Sequence, residues 1–447
     1  MTRRLPPLAT IHFTSLGCAK NRVDSEVMAA IAVEAGLRLV AEPTEADVLV
    51  VNTCGFVESA REESVGVLLD RARERSAGRC RMLVATGCMV QRHAAELAAE
   101  LPEVDHFLGT TRIEELGAIL RGRAGRLDVG DPGSHLQERH TPRFVEPGAV
   151  QAYLKIADGC ARRCAFCAIP LIRGTAHSRP LDDLVEEARR LVGLGVRELD
   201  LVAQDSSAYG RDRDDGADLP TLLGRLDALP GVFWVRVLYL YPDAVDDRLL
   251  DALASLDKVV PYLDVPIQHA SANVLRRMRR GHGPRLLAEL FARARRRVPA
   301  VTLRTTVLVG HPGETAGDFQ TLVGFIEHVG FDRLGAFRFS PEAGTHAATL
   351  ADPVPRGVAY RRLRKVLAVQ RRISRARQRA LLGGELTVLV EGPADDRGLV
   401  LVGRHAGQAP EIDGVTYLTN SDAQVGDFVR ARVVKVSDHD LVAEALD

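Results

Sequence analysis

The sequence predicts an α/β protein built from an amino-terminal doubly wound parallel-sheet domain, a central partial TIM-like (β/α)6 barrel and a carboxyl-terminal five-stranded antiparallel β-barrel. Its 447 residues exceed what one ordinary core accommodates. Strand-like and helix-like segments alternate through most of the chain, and beyond residue 383 the apolar period changes to two. We therefore expect domains at 1–120, 150–382 and 383–447, with a linker at 121–149.

The composition is that of a globular enzyme without a bias toward polyanions or membranes. Lys plus Arg equals Asp plus Glu at 59 each, so no global field attracts nucleic acid. No apolar run approaches the ~20 residues of a membrane helix, and residues 1–7 lead into no signal-peptide core. We expect a cytoplasmic protein with no membrane partner, whose seven cysteines serve metal binding or catalysis rather than disulfides.

The first hundred residues carry the pattern of a small parallel sheet covered by helices. Strand-like segments occur at 11–15, 47–52, 82–86 and 104–108, with helical segments at 24–35, 58–75 and 91–101. Cys18, Cys54 and Cys88 each follow one of the first three strands. Since the carboxyl ends of parallel strands share one edge, we expect these cysteines to converge in one crevice. The alternative is that they are small buried residues, which is the role we predict for the unpartnered Cys80.

From residue 151 the alternation restarts, after a stretch rich in Gly, Pro, Arg and His. Six strands are predicted at 153–157, 198–203, 233–238, 259–265, 301–309 and 334–339, with helices between them at 182–194, 219–228, 284–297 and 315–329. Six such units make an incomplete barrel, which binds its ligands at the carboxyl ends of the strands.

A basic helical segment and a small β-barrel complete the chain. Residues 356–382 interleave Arg and Lys with apolar residues, which favours a solvated amphipathic helix packed across the barrel over an RNA-binding face. Short alternating strands follow at 386–390, 398–402, 415–418, 428–436 and 441–445. They predict a five-stranded barrel that is a candidate for substrate docking.

Residues 159–170 hold Cys160, Cys164 and Cys167 in the spacing C-x-x-x-C-x-x-C, directly after the first barrel strand. A structural zinc site would need four closed ligands. Three thiolates instead hold a 4Fe-4S cluster with one iron left open, and S-adenosyl-L-methionine can occupy that iron.

The loop, with Phe166 before its last cysteine, resembles the signature of radical S-adenosylmethionine enzymes. The carboxyl-terminal barrel resembles the TRAM domain of methylthiotransferases in that superfamily, and the likeness covers nearly the whole chain. Three segments resemble their amino-terminal domain: SLGCAKN at 15–21, NTCGF at 52–56 and GCMVQR at 87–92. The first of these, with LYLYP at 238–242 and VPIQHAS at 265–271, is similar to the protein-modifying RimO branch, whereas the transfer-RNA branch opens with a YGCQMN type of sequence.

This resemblance implies that the chain adds a methylthio group to the β-carbon of an aspartate in small-subunit ribosomal protein twelve. It also implies two 4Fe-4S clusters, one on the loop cysteines and an auxiliary one on Cys18, Cys54 and Cys88. Two molecules of S-adenosyl-L-methionine are needed per turnover: one methylates a sulfur on the auxiliary cluster and the other supplies the radical. The expected electron donor is a flavodoxin or ferredoxin.

Further site residues are predicted from their positions in the barrel. Phe166, Gln204 and Arg236 are expected to bind the cofactor, since Gln204 ends the second barrel strand and Arg236 lies within the third. The alternative for Gln204 and Arg236 is a structural role, capping a loop or pairing in the barrel wall. His269 and Glu314 are expected to be structural, with Glu314 capping the next helix. No catalytic residue is predicted beyond the clusters.

Two alternative functions stay open. A transfer-RNA adenosine methylthiotransferase would share every cysteine and use the basic helix and the last barrel as RNA clamps. A zinc- or iron-sulfur-bearing nucleic-acid-binding protein would carry the cysteines without radical chemistry. The sequence departs from the RimO pattern at Ala19, where proline is usual, and at His311, where an aromatic is expected. Neither departure replaces a cysteine.

Overall fold

The computed structural model describes residues 8–133, 136–395 and 400–446. The opening residues 1–7, residues 134–135 of the predicted linker, residues 398–399 of a predicted strand and residue 447 lie outside the described residues. Within the described part of the chain, no helix combines the length and the apolarity needed to cross a bilayer.

Six parallel strands form the amino-terminal sheet, and helices cover both of its faces. The strands are β1 (Thr10–Ser15), β2 (Arg38–Leu39), β3 (Val48–Thr53), β4 (Met82–Gly87), β5 (His106–Leu108) and β6 (Leu127–Asp128). The helices are α1 (Ala19–Glu34), α2 (Glu58–Ala77), α3 (Cys88–Glu100) and α4 (Leu116–Leu120). Every residue of β3 is buried, as expected for a valine-rich central strand between two helix layers. The doubly wound sheet is therefore confirmed, and β6 extends it into the stretch predicted as linker.

The strand order β2-β1-β3-β4-β5-β6 creates a topological switch point beside β1. The chain leaves β1 to form β2 on one side and then crosses to form β3 on the other. Crossovers that diverge in this way open a crevice at the carboxyl ends of the strands, where open α/β sheets bind ligands. Cys18 and Cys54 follow the two strands that flank this crevice.

The central domain is an open barrel of six parallel strands. These are β7 (Gln151–Lys155), β10 (Glu198–Val202), β11 (Trp234–Val237), β12 (Tyr262–Asp264), β13 (Thr302–Val309) and β14 (Arg333–Arg338), with a two-stranded ribbon of β8 (Ala157–Asp158) and β9 (His177–Ser178) beside the first strand. A parallel bridge between Val235 and Val259 joins its two three-stranded halves. No pairing closes β7 onto β14 among the described residues, so the predicted partial barrel is confirmed.

Helices connect the strands of this barrel. They are α5 (Ile169–Arg173), α6 (Leu181–Gly193), α7 (Leu219–Asp227), α8 (Asp247–Ser255), α9 (Ala272–Arg277), α10 (Pro284–Arg297) and α11 (Ala316–Val329). The N-cap of α11 is Thr315, which forms a reciprocal capping box with Asp318. The predicted cap, Glu314, is therefore wrong: its carboxylate accepts from the Gly310 N–H and pairs with Arg362 at 3.2 Å.

The basic helix α12 (Arg356–Arg379) lies across the last barrel strand. Its apolar face, including Val366 and Val369, is buried, while its ten Arg and Lys residues mostly face outward without any Asp or Glu in the helix. The predicted amphipathic helix is therefore present.

A closed five-stranded barrel follows the basic helix. Its strands are β15 (Glu385–Pro393), β16 (Leu401–His405), β17 (Thr416–Thr419), β18 (Phe428–Val436) and β19 (Leu441–Ala445). Four pairings are antiparallel, as predicted, but β17 and β19 pair in parallel because the chain visits β18 between them.

One loop of the small barrel fills the amino-terminal end of the large one. Arg404 pairs with Glu198 at 2.6 Å, and Arg236 donates to the Ala406 carbonyl at 2.8 Å. The Tyr262 hydroxyl donates to Asp413 at 2.6 Å. The small barrel thus forms part of the wall of the large barrel.

Candidate active site

The loop that carries Cys160, Cys164 and Cys167 leaves the barrel through a tight turn. Gly159 has φ +76°, and a Cβ there would lie 1.9 Å from the Thr175 carbonyl oxygen. Only glycine fits this position. The Cys160 N–H donates to the Gly174 carbonyl at 3.0 Å, and the Cys167 N–H donates to the Cys164 carbonyl at 3.2 Å. All three cysteines are half-buried.

Two arginines hold this loop against the barrel mouth. Arg280 donates to the Cys164 Sγ at 3.3 Å and stacks on one side of Tyr241, 4.0 Å from the ring centroid. Arg162 stacks on the same ring at 3.7 Å and pairs with Asp205 at 2.8 Å. A planar guanidinium can make such stacked and forked contacts at once.

Cys160 and Cys167 favour the neutral thiol in the protein without iron. Burial raises the pKa of Cys160 to about 11 and that of Cys167 to about 12. Because thiolates are the metal ligands, iron has to displace these protons when it binds.

The amino-terminal domain brings Cys18, Cys54 and Cys88 to one crevice, and Asn21 ties them together. Its Nδ2 donates to the carbonyls of Leu16 and Thr53 at 3.0 Å each, and its Oδ1 lies 3.5 Å from the Cys88 Sγ. A Cβ on Gly17 would lie 2.9 Å from that of Cys54, so these loops are in contact. The predicted convergence is therefore present.

The three thiols of this second set differ in the direction of their pKa shifts. Cys18 is open to the crevice, and although the surrounding protein would raise the pKa of its thiol, Lys20, Arg173 and the backbone N–H of Asn21 lower it below the usual value. Burial raises the pKa of Cys54 and raises that of Cys88 to about 11. Cys18 is thus the thiolate-prone member of the set.

Helix α5 connects the two cysteine sets. It begins two residues after Cys167, and Ala168 and Ile172 pack directly against Cys88. At its end, Arg173 donates to the Cys88 Sγ at 3.4 Å and to the Asn21 Oδ1 at 2.9 Å. The same guanidinium pairs with two carboxylates, Asp24 of the amino-terminal domain and Asp158 of the barrel. The two sets therefore adjoin one interface.

The donor sets fit clusters better than single ions. Within the described chain, no three side chains of His, Cys, Asp or Glu are placed to hold one metal ion. A tetrahedral zinc with Zn–S bonds of about 2.3 Å would need sulfurs within about 3.8 Å of one another. In a 4Fe-4S cluster each thiolate binds a different iron, so the sulfurs stand farther apart.

The other predicted site residues have distinct surroundings. Phe166 is half-buried between Cys164 and Cys167. Gln204 donates to Asp158 at 2.8 Å, and its Oε1 is buried without a partner among the described residues. Arg236 is fully buried, and its Nε donates to Glu198 at 2.7 Å. These contacts favour the structural alternative for Arg236.

The histidine and the seventh cysteine also have structural surroundings. His269 is fully buried, and its Nδ1 accepts from the Ser271 N–H at 3.0 Å. Cys80 lies in the amino-terminal core, with its Sγ 3.2 Å from the Met82 carbonyl.

Sequence reasoning missed four residues around the cysteines: Lys20, Asn21, Arg173 and Arg280. Lys20 and Asn21 belong to the SLGCAKN segment, and Arg173 follows Cys167 by six positions, so proximity along the chain could have indicated these three. Arg280 lies more than a hundred residues from Cys164, and nothing in the sequence signals their contact.

Three family models match the chain in order. The Uncharacterized protein family UPF0004 matches residues 10–109, the Radical SAM superfamily residues 154–326 and the TRAM domain residues 382–446. These matches correspond to the sheet domain, the open barrel and the small closed barrel.

Curated relatives align with nearly the whole chain. The ribosomal protein uS12 methylthiotransferase RimO of Sorangium cellulosum is 48% identical over 443 residues, covering 98% of this chain and 91% of that protein. Its counterpart in Anaeromyxobacter sp. (strain K) is 49% identical, covering 98% of this chain and 93% of that one. The RimO of Trichlorobacter lovleyi is 45% identical, with 98% of each chain covered.

Solved structures share the fold at low sequence identity. The radical S-adenosylmethionine methyltransferase TsrM from Kitasatospora setae, with cobalamin and a 4Fe-4S cluster bound, has a TM-score of 0.56 at 15% identity, covering 74% of this chain and 75% of that one. The cobalamin-dependent radical enzyme OxsB has a TM-score of 0.50 at 9% identity, covering 81% and 56%.

Proposed function

The chain belongs to the RimO family of ribosomal protein uS12 methylthiotransferases, and from this membership we propose that it adds a methylthio group to the β-carbon of an aspartate in uS12, small-subunit ribosomal protein twelve. As a member of that family it is a radical S-adenosylmethionine enzyme. We further propose a cytoplasmic location and a flavodoxin or ferredoxin as the one-electron donor.

We assign each cysteine set to one 4Fe-4S cluster. Cys160, Cys164 and Cys167 would hold the cluster that receives S-adenosylmethionine, and the set at the sheet edge would hold the auxiliary one. When bound, the clusters and S-adenosylmethionine supply the one-electron bond cleavage and the methylthio group. Three protein thiolates per site leave one iron open for a ligand that the protein does not provide.

The barrel mouth supplies contacts for S-adenosylmethionine. The unpartnered Oε1 of Gln204 is a buried acceptor next to the cysteine loop, and an orphaned acceptor of this kind is expected to find a ligand donor. Phe166 adds an apolar contact within the loop. Arg236 is engaged by Glu198 and by the small barrel, so we do not include it among these contacts.

The observation that carries the proposal is the packing of Cys88 against Ala168 and Ile172. One short helix separates the two cysteine sets, so a substrate side chain that reaches one set also lies near the other. Helices α3 and α5, which carry or follow a cysteine of each set, are in contact with each other. Both sets can thus serve a single shared cavity.

Anaerobic reconstitution with iron and sulfide tests the two clusters. We expect about eight irons per chain, falling by about half when Cys160, Cys164 and Cys167 are all replaced by alanine. Cys54→Ala should also lose about half of the iron, keep reductive cleavage of S-adenosylmethionine and abolish methylthio transfer. The matched control is Cys80→Ala, which removes a buried cysteine outside both sets and should retain all of the iron.

Two results would contradict the cluster assignment. Retention of zinc with no cleavage of S-adenosylmethionine would favour a nucleic-acid-binding protein. Loss of both reactions in Cys54→Ala would refute the division of labour between the two cysteine sets.

The substrate is tested separately by mass spectrometry of a deletion strain. We expect the methylthio group to disappear from uS12 and to remain on transfer RNA. The opposite pattern would establish the adenosine-modifying alternative.

A further inference from the structure

Lys20 places a buried ammonium group near Cys18, where the amino-terminal domain meets the barrel. The residue is 9% exposed and lies in the first turn of α1, two positions after Cys18. Its Nζ reaches across to the carboxyl ends of two barrel strands. There it donates to the Ala203 carbonyl at 3.5 Å and lies 4.1 Å from the centroid of the Tyr239 ring. The ammonium therefore stands where the two domains meet at the barrel mouth.

This ammonium has no carboxylate partner in the described part of the chain, since its polar contact is one long bond to a carbonyl. Lysine is almost never buried without a counter-charge, because removing a charge from water is costly. Lys155 shows the ordinary arrangement, since it is 2% exposed and its ammonium pairs with Asp24 at 2.6 Å and Asp158 at 3.2 Å. Lys20 thus has the Cys18 thiol beside it but no carboxylate partner among the described residues.

Tyr239 is strained into the position that holds its ring beside Lys20. Its φ is +63°, in the left-handed region that bulky residues avoid. The Tyr239 N–H donates to Asp264 at 2.9 Å, which fixes this conformation. Strain of this kind persists where the surroundings impose it, and it is concentrated at functional sites.

The other cations around the cysteines already have partners. Arg173 holds Asp24 and Asp158, Arg162 holds Asp205 and Asp243, and Arg280 donates to the Cys164 Sγ and the Pro266 carbonyl. Among these side chains, Lys20 and Arg280 have no carboxylate partner in the residues that the structure describes, and Arg280 is held by the cysteine loop, so Lys20 is the cation that we consider for an incoming anion.

We infer that Lys20 binds the carboxylate of the substrate aspartate and selects an acidic side chain over a neutral one. This inference rests on the proposed function, which brings a carboxylate to the interface that the two cysteine sets adjoin. The β-carbon is one bond away from the carboxylate carbon, so a charge-assisted hydrogen bond to the carboxylate also positions the carbon that reacts.

The test compares holoenzyme variants on two substrates, full-length uS12 and uS12 in which the target aspartate is replaced by asparagine. The wild type should prefer the aspartate form by about 10- to 100-fold in kcat/KM, the range for hydrogen bonds to charged groups. Lys20→Met keeps the side-chain length and removes the charge. It should lose this preference while retaining its iron and its rate of S-adenosylmethionine cleavage without substrate. Lys20→Arg should restore part of the preference.

Lys258→Met is the matched control, because Lys258 is half-buried, lies over the Phe233 ring and is remote from the cysteines. It should keep the full preference. An unchanged preference in Lys20→Met would overturn the inference, as would loss of iron or of S-adenosylmethionine cleavage, which would show that the ammonium serves a cluster. If Lys20→Met does not fold, Lys20→Gln carries the same comparison. A wild type that modifies neither substrate would refute the proposed function itself.

Discussion

Replacing Glu198 by glutamine tests whether the small barrel seals the large one. Glu198 is fully buried, accepts from Arg236 at 2.7 Å and pairs with Arg404 of the small barrel at 2.6 Å. Both guanidiniums are also buried. Glu198→Gln removes the carboxylate shared by two buried cations, although Arg404 keeps Glu391 at 2.7 Å. Breaking a buried pair costs about 3–5 kcal/mol.

Asp200 moderates this cost. Burial and the neighbouring Glu198 raise the pKa of Asp200 well above its usual value. Once Glu198 is neutral, one cause of the raised pKa is gone, and an ionised Asp200, whose Oδ1 lies 3.4 Å from the Arg236 Nε, recovers part of the lost charge balance. We therefore expect about 3 kcal/mol for Glu198→Gln, and a larger loss when Asp200→Asn is added.

Thermal unfolding of the iron-free protein measures the effect. An unfolding entropy of about 2.1 cal/mol/K per residue gives about 0.9 kcal/mol/K for 447 residues, so 3 kcal/mol lowers Tm by about 3 °C. The control is Glu385→Gln in the same small barrel, whose partners Arg430 and Arg432 are exposed. That surface pair is worth at most about 1 kcal/mol. Equal shifts for the two variants would refute the view that the small barrel completes the wall of the large one.

Two further predictions concern the cysteine sets. Arg173→Gln should lower the reduction potential of the auxiliary cluster in a redox titration, because it removes a cation that donates to the Cys88 Sγ. The control, Arg143→Gln, breaks another buried ion pair across the domain boundary and should leave that potential unchanged. Equal potentials in the two variants would contradict this role of Arg173. In the iron-free, reduced protein, iodoacetamide should alkylate Cys18 before Cys160 at pH 7, and the Cys18 reaction should slow as the pH falls through the lowered pKa of its thiol. Alkylation of Cys160 should stay slow below about pH 11. Peptide mass spectrometry measures both rates. Faster labelling of Cys160 than of Cys18 would refute the electrostatic account.

The sequence predicted much of the architecture because its signals are local. Apolar periodicity located all six barrel strands, and the position of Cys18, Cys54 and Cys88 after successive strands was enough to predict their convergence. The carboxyl ends of parallel strands lie at one edge of the sheet, so residues that follow neighbouring strands lie close together. The short strands β2 and β6 were missed because two residues carry no measurable period.

The sequence alone thus determines which cysteines form each set and at which strand ends they lie. Which side chains meet across the domains was decided by the tertiary structure. The sequence places Arg236 within the third barrel strand, but only packing determines whether it meets a ligand or the Ala406 carbonyl, 170 positions away. The same holds for Lys20, whose ammonium contacts Ala203 across 183 positions. Such contacts depend on how separately folded surfaces dock, and no periodicity within either surface encodes that geometry.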